Sequence, residues 1–242
     1  MPIITTLTLY PIKSCAGISL QQAMLTDTGL SHGAINDREW MVVDDNGQCL
    51  TQREYPQMAL IRPSLEAGKL VLRTDGVAPL EIALNQADTT HLNSMQVQVW
   101  DDTLEASDEG ESCAAWFSAV IGISCKLVRF HPDASRVANN KWTGDKDVPT
   151  LFSDGYPLLL ISLASLADLN QKLLAQGKAA VAMNRFRPNI VIDGVEAFEE
   201  DYAESLTTLG AGNPDQIICL KPIKPCPRCP MPAVDQVTGE VG

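Results

Sequence analysis

Two turn signals in the first half of the chain constrain its fold most. Asn46-Gly47 follows the strand-forming stretch Trp40–Asp44, and Asp75-Gly76 separates the apolar stretches 70–73 and 80–84. Asparagine or aspartate followed by glycine tolerates the positive φ that tight hairpin turns need. The sequence therefore predicts two antiparallel hairpins. Further strands are predicted at 3–10, which alternates partly and is rich in β-forming residues, and at 95–100, where clean alternation of apolar and polar residues indicates one buried face.

Helices are predicted at two places where apolar residues recur every three or four positions. The main helix covers 162–176, because its leucines fall on one face at helical spacing. Ser165 resembles the first residue of a capping box, and Gly177 is a natural C-terminal cap. A shorter helix is predicted over 113–120.

The polar stretch between 130 and 150 divides the chain. It carries His131-Pro132 and Pro149, and it shows no apolar periodicity, which is typical of a long loop or a boundary. Strands are predicted again after the main helix, at 188–193 and 216–220. We therefore predict an α+β, β-rich protein with an N-terminal β unit over 1–130 and a mixed unit over 131–242.

The composition argues against several classes of partner. The formal net charge of −12 disfavours nucleic acid and anionic membrane surfaces, because both are bound mainly through basic residues. The chain has no apolar run near the ~20 residues that span a bilayer and no recognisable signal peptide. We expect a cytoplasmic protein whose seven cysteines are reduced thiols. The cysteines and tryptophans predicted to lie in the core are Cys15, Cys49, Cys113, Cys125, Cys219, Trp40, Trp100 and Trp116.

The densest group of reactive residues begins at Lys221 and reads Lys-Pro-Ile-Lys-Pro-Cys-Pro-Arg-Cys-Pro-Met-Pro. Its prolines exclude a helix or a central strand and predict a stiff loop. Lys221, Lys224 and Arg228 would favour the thiolate form of a nearby cysteine. For Cys226 and Cys229 the residues alone leave four alternatives open. These are half of a zinc site, a thioredoxin-like pair, a pair of buried thiols, or a single soft thiolate ligand for a metal cofactor.

Several motifs, in matching order over nearly the whole chain, resemble the signature of MOSC domains and of the β-barrel-like domain that precedes them in one branch of that superfamily. The branch includes the mitochondrial amidoxime-reducing component and the bacterial YcbX proteins. The motifs are Tyr10-Pro-Ile-Lys-Ser-Cys15, Asp37-Arg-Glu-Trp40, Arg185-Phe-Arg-Pro-Asn189, Phe198-Glu-Glu-Asp201 and Pro225-Cys-Pro-Arg-Cys229, followed by Val234-Asp235 and Thr238-Gly239.

The resemblance implies a molybdopterin-type cofactor with Cys229 as the catalytic metal ligand. It also implies a MOSC β-barrel with flanking helices, which we expect to be incomplete at the C-terminus of this chain. Fixed cations and an amide suit the phosphate and the polar ring system of such a cofactor. The residues assigned to cofactor binding are Lys13, Ser14, Arg38, Tyr156, Arg187, Asn189 and Arg228.

This sequence departs from the reductase relatives at two places. Before the main helix, this chain has Gly155-Tyr156 where the relatives have a small hydroxylic residue. After Cys229, it has Met231-Pro232 where the relatives tend to have Thr-Thr. These differences concern contacts to the cofactor and the shape of the substrate side.

The assigned residues also have purely structural explanations when each is taken alone. Single basic residues near strand ends, such as Lys13 and Arg38, are more often solvated surface charges than ligand contacts. Arg187 can instead form a surface ion pair with Asp193 or Asp201, which would contribute little to stability. Asn189 can occupy a turn or an edge.

Three functions remain open on the sequence. The resemblance implies an oxidoreductase that reduces N-hydroxylated compounds at a molybdenum centre, with electrons from a ferredoxin-like protein or a flavin or heme reductase. A second hypothesis is a cofactor or sulfur carrier that uses Cys229, because MOSC domains also occur with cysteine desulfurase-like enzymes, an association that extends to pyridoxal phosphate. The third is a non-catalytic binding domain.

Overall fold

The structure is a computed structural model that describes residues 1–84, 93–144, 146–227 and 229–242. The α-helices within these ranges are α1 (Glu111–Ile121), α2 (Asn140–Thr143) and α3 (Leu163–Ala175), and a 3-10 turn, Met183–Phe186, precedes Arg187. The strands are β1 (Ile3–Leu9), β2 (Ile18–Leu20), β3 (Met24–Thr26), β4 (Gly29–His32), β5 (Ile35–Asn36), β6 (Trp40–Asp44), β7 (Arg62–Glu66), β8 (Lys69–Thr74), β9 (Val77–Ala83), β10 (Ser94–Val99), β11 (Asp102–Asp108), β12 (Cys125–Phe130), β13 (Leu160–Ser162), β14 (Ile190–Asp193), β15 (Leu206–Gly210) and β16 (Asn213–Leu220). The predicted α+β, β-rich class is confirmed.

One mixed sheet joins the two halves of the chain. Its strand order is β13-β14-β1-β2, with β14 antiparallel to β1 and parallel to β13. Because Leu7 pairs with Ile190, the end of β1 lies beside the start of β14. The residues that follow β1 are thereby brought next to those that precede β14. The two paired strands come from opposite sides of the predicted domain boundary between residues 130 and 131. The boundary itself stays a prediction.

A second, antiparallel sheet has the order β10-β11-β12-β6. The alternation predicted for the β10 segment is confirmed, since Val97 and Val99 are buried, whereas Gln96 is exposed and Gln98 is half-buried. Their face packs with Met41, Val43 and the fully buried ring of Phe152. Phe152 thereby anchors the loop before β13 against this sheet.

Both predicted hairpin turns are confirmed. β8 and β9 pair antiparallel around Gly76, whose φ is 80°. At the other turn the Asp44 N–H donates to the Gln48 carbonyl at 2.9 Å, and Gly47 has φ 78°. A Cβ added to Gly47 would lie 2.5 Å from a backbone carbonyl oxygen, so this turn requires glycine for space as well as for φ.

Helix α3 lies within the predicted range 162–176, but its N-cap is three residues before the predicted cap, Ser165. Ser162 is its N-cap, and the Ser162 hydroxyl accepts a hydrogen bond from the Ser165 N–H at 3.0 Å. Ser165 is inside the first turn, where its hydroxyl donates to the buried carboxylate of Glu200 at 2.6 Å. The C-terminus is as predicted, because Gly177 has φ 72° and follows the last helical turn.

Two predictions about the core are wrong. Trp100 is 46% exposed, because it lies in the turn between β10 and β11, beyond the alternating strand. Cys219 is exposed on β16, which within the described part of the chain pairs only with β15. Trp40 and Trp116 are buried as predicted. Among the described residues, none of the helices has the length and apolar character needed to span a membrane.

Candidate functional site

The candidate site begins where β1 ends and meets the turn before β6. The Arg38 N–H donates to the Tyr10 carbonyl at 2.7 Å, and the Lys13 N–H donates to the Trp40 carbonyl at 2.8 Å. Ser14 and Arg38 have φ of 66° and 52°. Non-glycine residues rarely adopt this left-handed conformation, and it concentrates at functional sites. The backbone thus places Lys13, Ser14 and Arg38 on adjacent turns.

Asn189 ties the Arg38 turn to the start of β14. Its side-chain oxygen accepts hydrogen bonds from Arg38 Nη1 at 3.0 Å and from the Leu159 N–H at 3.1 Å. Its amide nitrogen donates to Asp37 Oδ1 at 2.9 Å and to the Thr8 carbonyl at 3.2 Å. Asn189 is 1% exposed and lies in a bend directly before β14, as the turn alternative allowed. Because both donors and the oxygen are engaged within the chain, the structure gives Asn189 a positioning role. Its direct contact with a cofactor stays a prediction.

Two guanidinium groups lie over the ring of Tyr10. The central carbons of Arg187 and Arg38 are 4.3 and 4.6 Å from the ring centroid. Arg38 is paired with the buried carboxylate of Asp37. Arg187 is 5% exposed, and neither of its terminal nitrogens has a hydrogen-bond partner among the described residues. The alternative in which Arg187 forms a surface ion pair is therefore wrong.

Burial lowers the pKa of the Arg187 guanidinium, and the nearby charge of Arg38 adds to this effect. A buried cation that lacks a hydrogen-bonded anion is unfavourable, because it has lost its hydration without compensation. Arg187 also has φ 58°, another left-handed conformation. The chain thus holds an incompletely satisfied cation in a fixed position.

A second charged cluster lies in the loop after Phe152. Lys13 Nζ donates to the Phe152 carbonyl at 2.8 Å and to Asp154 Oδ1 at 2.5 Å. Lys13 is 5% exposed, so it is not the solvated surface charge considered as an alternative. Arg53 Nη2 lies 3.9 Å from Asp154 Oδ2. Burial alone would raise the pKa of Asp154, but Lys13 and Arg53 outweigh it and hold that pKa well below its usual range. Asp154 is therefore a carboxylate at neutral pH.

Cys229 is an exposed thiol beside this cluster. The Arg53 guanidinium reaches its Sγ at 3.9 Å, so the first half of the chain supplies a basic group next to the thiol. Lys224, which the sequence placed near the cysteine, instead lies over the ring of Trp142 at 5.2 Å. Arg228 lies outside the described residues, and its predicted role is not addressed by the structure.

The chain after Cys229 is held in place by Arg185. The Arg185 guanidinium donates to the carbonyls of Pro232 and Ala233 at 3.3 and 3.1 Å. It also donates to Asp235 Oδ2 at 2.6 Å. These bonds tie the cysteine loop (221–232) to the 3-10 turn that precedes Arg187.

Several buried polar atoms without partners in the described ranges belong to residues of these clusters or to residues close to them in sequence. They cost free energy and are rare in folded proteins unless a ligand or water satisfies them. Besides the Arg187 nitrogens they are Ser14 Oγ, Gln52 Oε1, Arg53 Nε, Ser153 Oγ and Tyr156 Oη. Burial raises the pKa of Tyr156, which keeps its hydroxyl protonated as a donor.

The site is positively charged within an acidic chain. Among the described residues, its cations are Lys13, Arg38, Arg53 and Arg187, and its carboxylates are Asp37 and Asp154. Four positive and two negative charges give a local net charge of 4 − 2 = +2, against −12 for the whole chain. Such a cluster attracts an anion despite an acidic exterior. The unpartnered donors and the local charge fit a polar, anionic group such as a pterin cofactor with its phosphate.

Comparison with known proteins identifies the family. The model for the MOSC N-terminal beta barrel domain matches residues 1–124, and the model for the MOSC domain matches residues 147–241. The chain belongs to the MOSC family. The family and branch predicted from the motifs are confirmed.

Three relatives illustrate the range of MOSC proteins that this chain resembles. It is 34% identical to mitochondrial amidoxime reducing component 2 of Bos taurus, over 98% of this chain and 68% of that protein. It is 34% identical to mitochondrial amidoxime-reducing component 1 of Mus musculus, over 98% and 66%. It is 31% identical to molybdenum cofactor sulfurase of Homo sapiens, over 98% of this chain but 27% of that protein. This MOSC chain thus spans about two thirds of the length of the amidoxime-reducing relatives.

Sequence reasoning missed three residues at this site, namely Arg53, Asp154 and Trp100. The Trp100 indole N–H donates to Asp154 Oδ1 at 3.2 Å, and the central carbon of Arg53 lies 4.8 Å from the Trp100 ring centroid. None of these residues falls within a recognised motif. The one available signal was that Asp154 immediately precedes the Gly155-Tyr156 departure.

Proposed function

We propose that this MOSC protein binds a molybdenum cofactor and reduces N-hydroxylated compounds with electrons from a separate donor protein. The observation that carries the proposal is the buried guanidinium of Arg187, whose terminal nitrogens have no partner in the described part of the chain. It lies in a cationic cluster that extends through Arg53 to the exposed thiol of Cys229. The names of the amidoxime-reducing relatives support the substrate class.

The residues of this chain would hold the cofactor by charge and hydrogen bonds. Arg187 offers two donor nitrogens that no described residue engages, and Ser14 and Tyr156 offer buried hydroxyl groups. Lys13 and Arg38 add positive charge that is already fixed in position by carboxylates. Because these groups are held before the ligand arrives, little ordering entropy is lost on binding.

Cys229 would provide the thiolate ligand, since a soft sulfur donor suits such a metal. The cofactor, when bound, supplies two-electron redox chemistry, and the protein orients it. Arg53 would keep a positive charge beside Sγ, and Arg185 would fix the loop that carries the thiol. Asn189 holds Arg38 and Asp37 in their positions.

A second candidate is a carrier or sulfur-transfer function that uses the same cysteine. The exposure of Cys229 favours it, because a thiol that hands over sulfur must be reachable by a partner. The similarity to a protein named molybdenum cofactor sulfurase also supports it. A persulfide on Cys229 that is passed to an acceptor would distinguish this function from reduction.

The reductase proposal is tested on protein purified from cells that make the cofactor. Reduction of an amidoxime to its amidine is followed with a chemical electron donor such as reduced methyl viologen. We expect turnover in the wild type, loss of at least a hundredfold in Cys229→Ala, and no change in Cys219→Ala, which removes another exposed thiol. Wild-type protein that carries molybdenum but forms no amidine would overturn the reductase function.

A further inference from the structure

Trp100 occupies a conformation that is unfavourable for a bulky residue. It is the first of two residues that connect β10 to β11, and its φ is 56°. Tight turns of this kind favour glycine, asparagine or aspartate, and a tryptophan there is strained. Strained residues persist where the surrounding structure holds them, and they cluster at ligand sites.

Three groups of the candidate site hold the indole ring. Its N–H donates to Asp154 Oδ1 at 3.2 Å. The guanidinium carbon of Arg53 lies 4.8 Å from the ring centroid, and Lys13 Nζ lies 5.7 Å from it. The residue is nevertheless 46% exposed. The ring is thus held in one orientation by these contacts in a residue that a ligand can still reach.

The position of the ring relates it to the reactive thiol. Arg53 contacts the Trp100 ring and also reaches Cys229 Sγ at 3.9 Å. A molecule that approaches the metal ligand from this side therefore passes an oriented aromatic surface. An exposed aromatic ring fixed beside a polar site binds planar rings by offset stacking.

We propose that Trp100 is a specificity-determining residue that stacks on the substrate and selects aromatic over aliphatic N-hydroxylated compounds. This inference rests on the proposed function and deepens it. Stacking of two aromatic rings contributes enough to change the affinity about three- to tenfold beyond the burial of area. The preference should therefore be set by the ring itself and not by its hydrogen bond to Asp154.

The test uses two variants that separate these effects. Trp100→Leu removes the ring and the indole N–H, whereas Trp100→Phe keeps a ring and removes only the N–H. Neither replacement is β-branched, so the backbone strain of the positive φ at this position should be about the same in both variants as in the wild type. Tyr202→Leu, which removes an aromatic residue that is 86% exposed elsewhere on the surface, is the matched control.

Two readouts are compared for benzamidoxime and acetamidoxime. Calorimetric titration of the cofactor-loaded protein without an electron donor gives Kd in the absence of turnover, and steady-state reduction gives kcat/KM. We expect Trp100→Leu to lose about three- to tenfold in affinity and kcat/KM for benzamidoxime only. Trp100→Phe should keep most of the preference, and Tyr202→Leu should match the wild type.

The outcomes separate this inference from the proposed function. An unchanged ratio of the two substrates in Trp100→Leu, with reduction intact, overturns the role of Trp100 and leaves the reductase function standing. Binding that depends on Trp100 without any reduction supports the role of the ring and overturns the reductase. Wild-type protein that binds neither compound overturns both.

Discussion

Replacing Arg187 by methionine should stabilise the cofactor-free protein while weakening cofactor binding. Leaving a buried donor unpaired costs about 1–3 kcal/mol, and two nitrogens of Arg187 have no partner among the residues that the structure describes. In the wild type, the cation–π contact of Arg187 with the Tyr10 ring stabilises the fold by about 2 kcal/mol at most. The shorter methionine side chain loses that contact and about 1 kcal/mol of packing. The balance favours methionine by about 1 kcal/mol, which raises Tm by about 2–4 °C in a chain of this size.

Thermal unfolding of cofactor-free protein measures this difference. The matched control is Arg185→Met, two residues away, because the Arg185 guanidinium is bonded to Asp235 and to two carbonyls. Loss of these charge-assisted bonds should destabilise the protein by about 1–2 kcal/mol. If both variants lose stability to the same degree, Arg187 is not an unsatisfied cation and the reasoning that assigns it to ligand binding fails.

Two further predictions concern stability. Asp154→Asn should destabilise the protein at neutral pH, because it removes the carboxylate that pairs with the buried Lys13. Although burial opposes it, Lys13 holds the pKa of Asp154 below its usual value. The stability difference between wild type and variant is therefore full above about pH 5, and it is lost progressively as the pH falls from there through the lower pKa of the folded state, as acid titrations of urea unfolding would show. Ser162→Ala should cost about 1 kcal/mol in urea unfolding, since it removes the cap of α3, and an unchanged midpoint would contradict that role.

The features that were predicted correctly are determined by residues that are close together in the sequence. The turns at Gly47 and Gly76 follow from local backbone preferences, and the alternation of Val97 and Val99 follows from the two-residue period of a strand. The N-cap of α3 was misplaced by three residues, although the predicted range of the helix was right, because Ser162 and Ser165 are both acceptable caps by type. The contact between Ser165 and Glu200, which decides between them, spans 35 positions.

The candidate site was predicted only where motifs mark it. Lys13, Arg38, Asn189 and Arg187 do come together, because pairing of β1 with β14 joins their segments. Their roles toward a cofactor stay predictions.

The contact between Arg53 and Cys229 spans 176 positions, and no periodicity or spacing encodes a contact of that kind. The exposure of Trp100 likewise depends on the turn geometry and on Asp154, which lies 54 positions away along the chain.

The molybdenum content of the purified protein tests the central claim most directly. Wild type, Cys229→Ala and Cys226→Ala are expressed in cells that make the cofactor, and metal is measured per chain by elemental analysis. We predict near-stoichiometric molybdenum in the wild type and in Cys226→Ala, and little in Cys229→Ala. Absence of molybdenum from folded wild-type protein, or equal metal in all three, would contradict the assignment of Cys229 as the metal ligand.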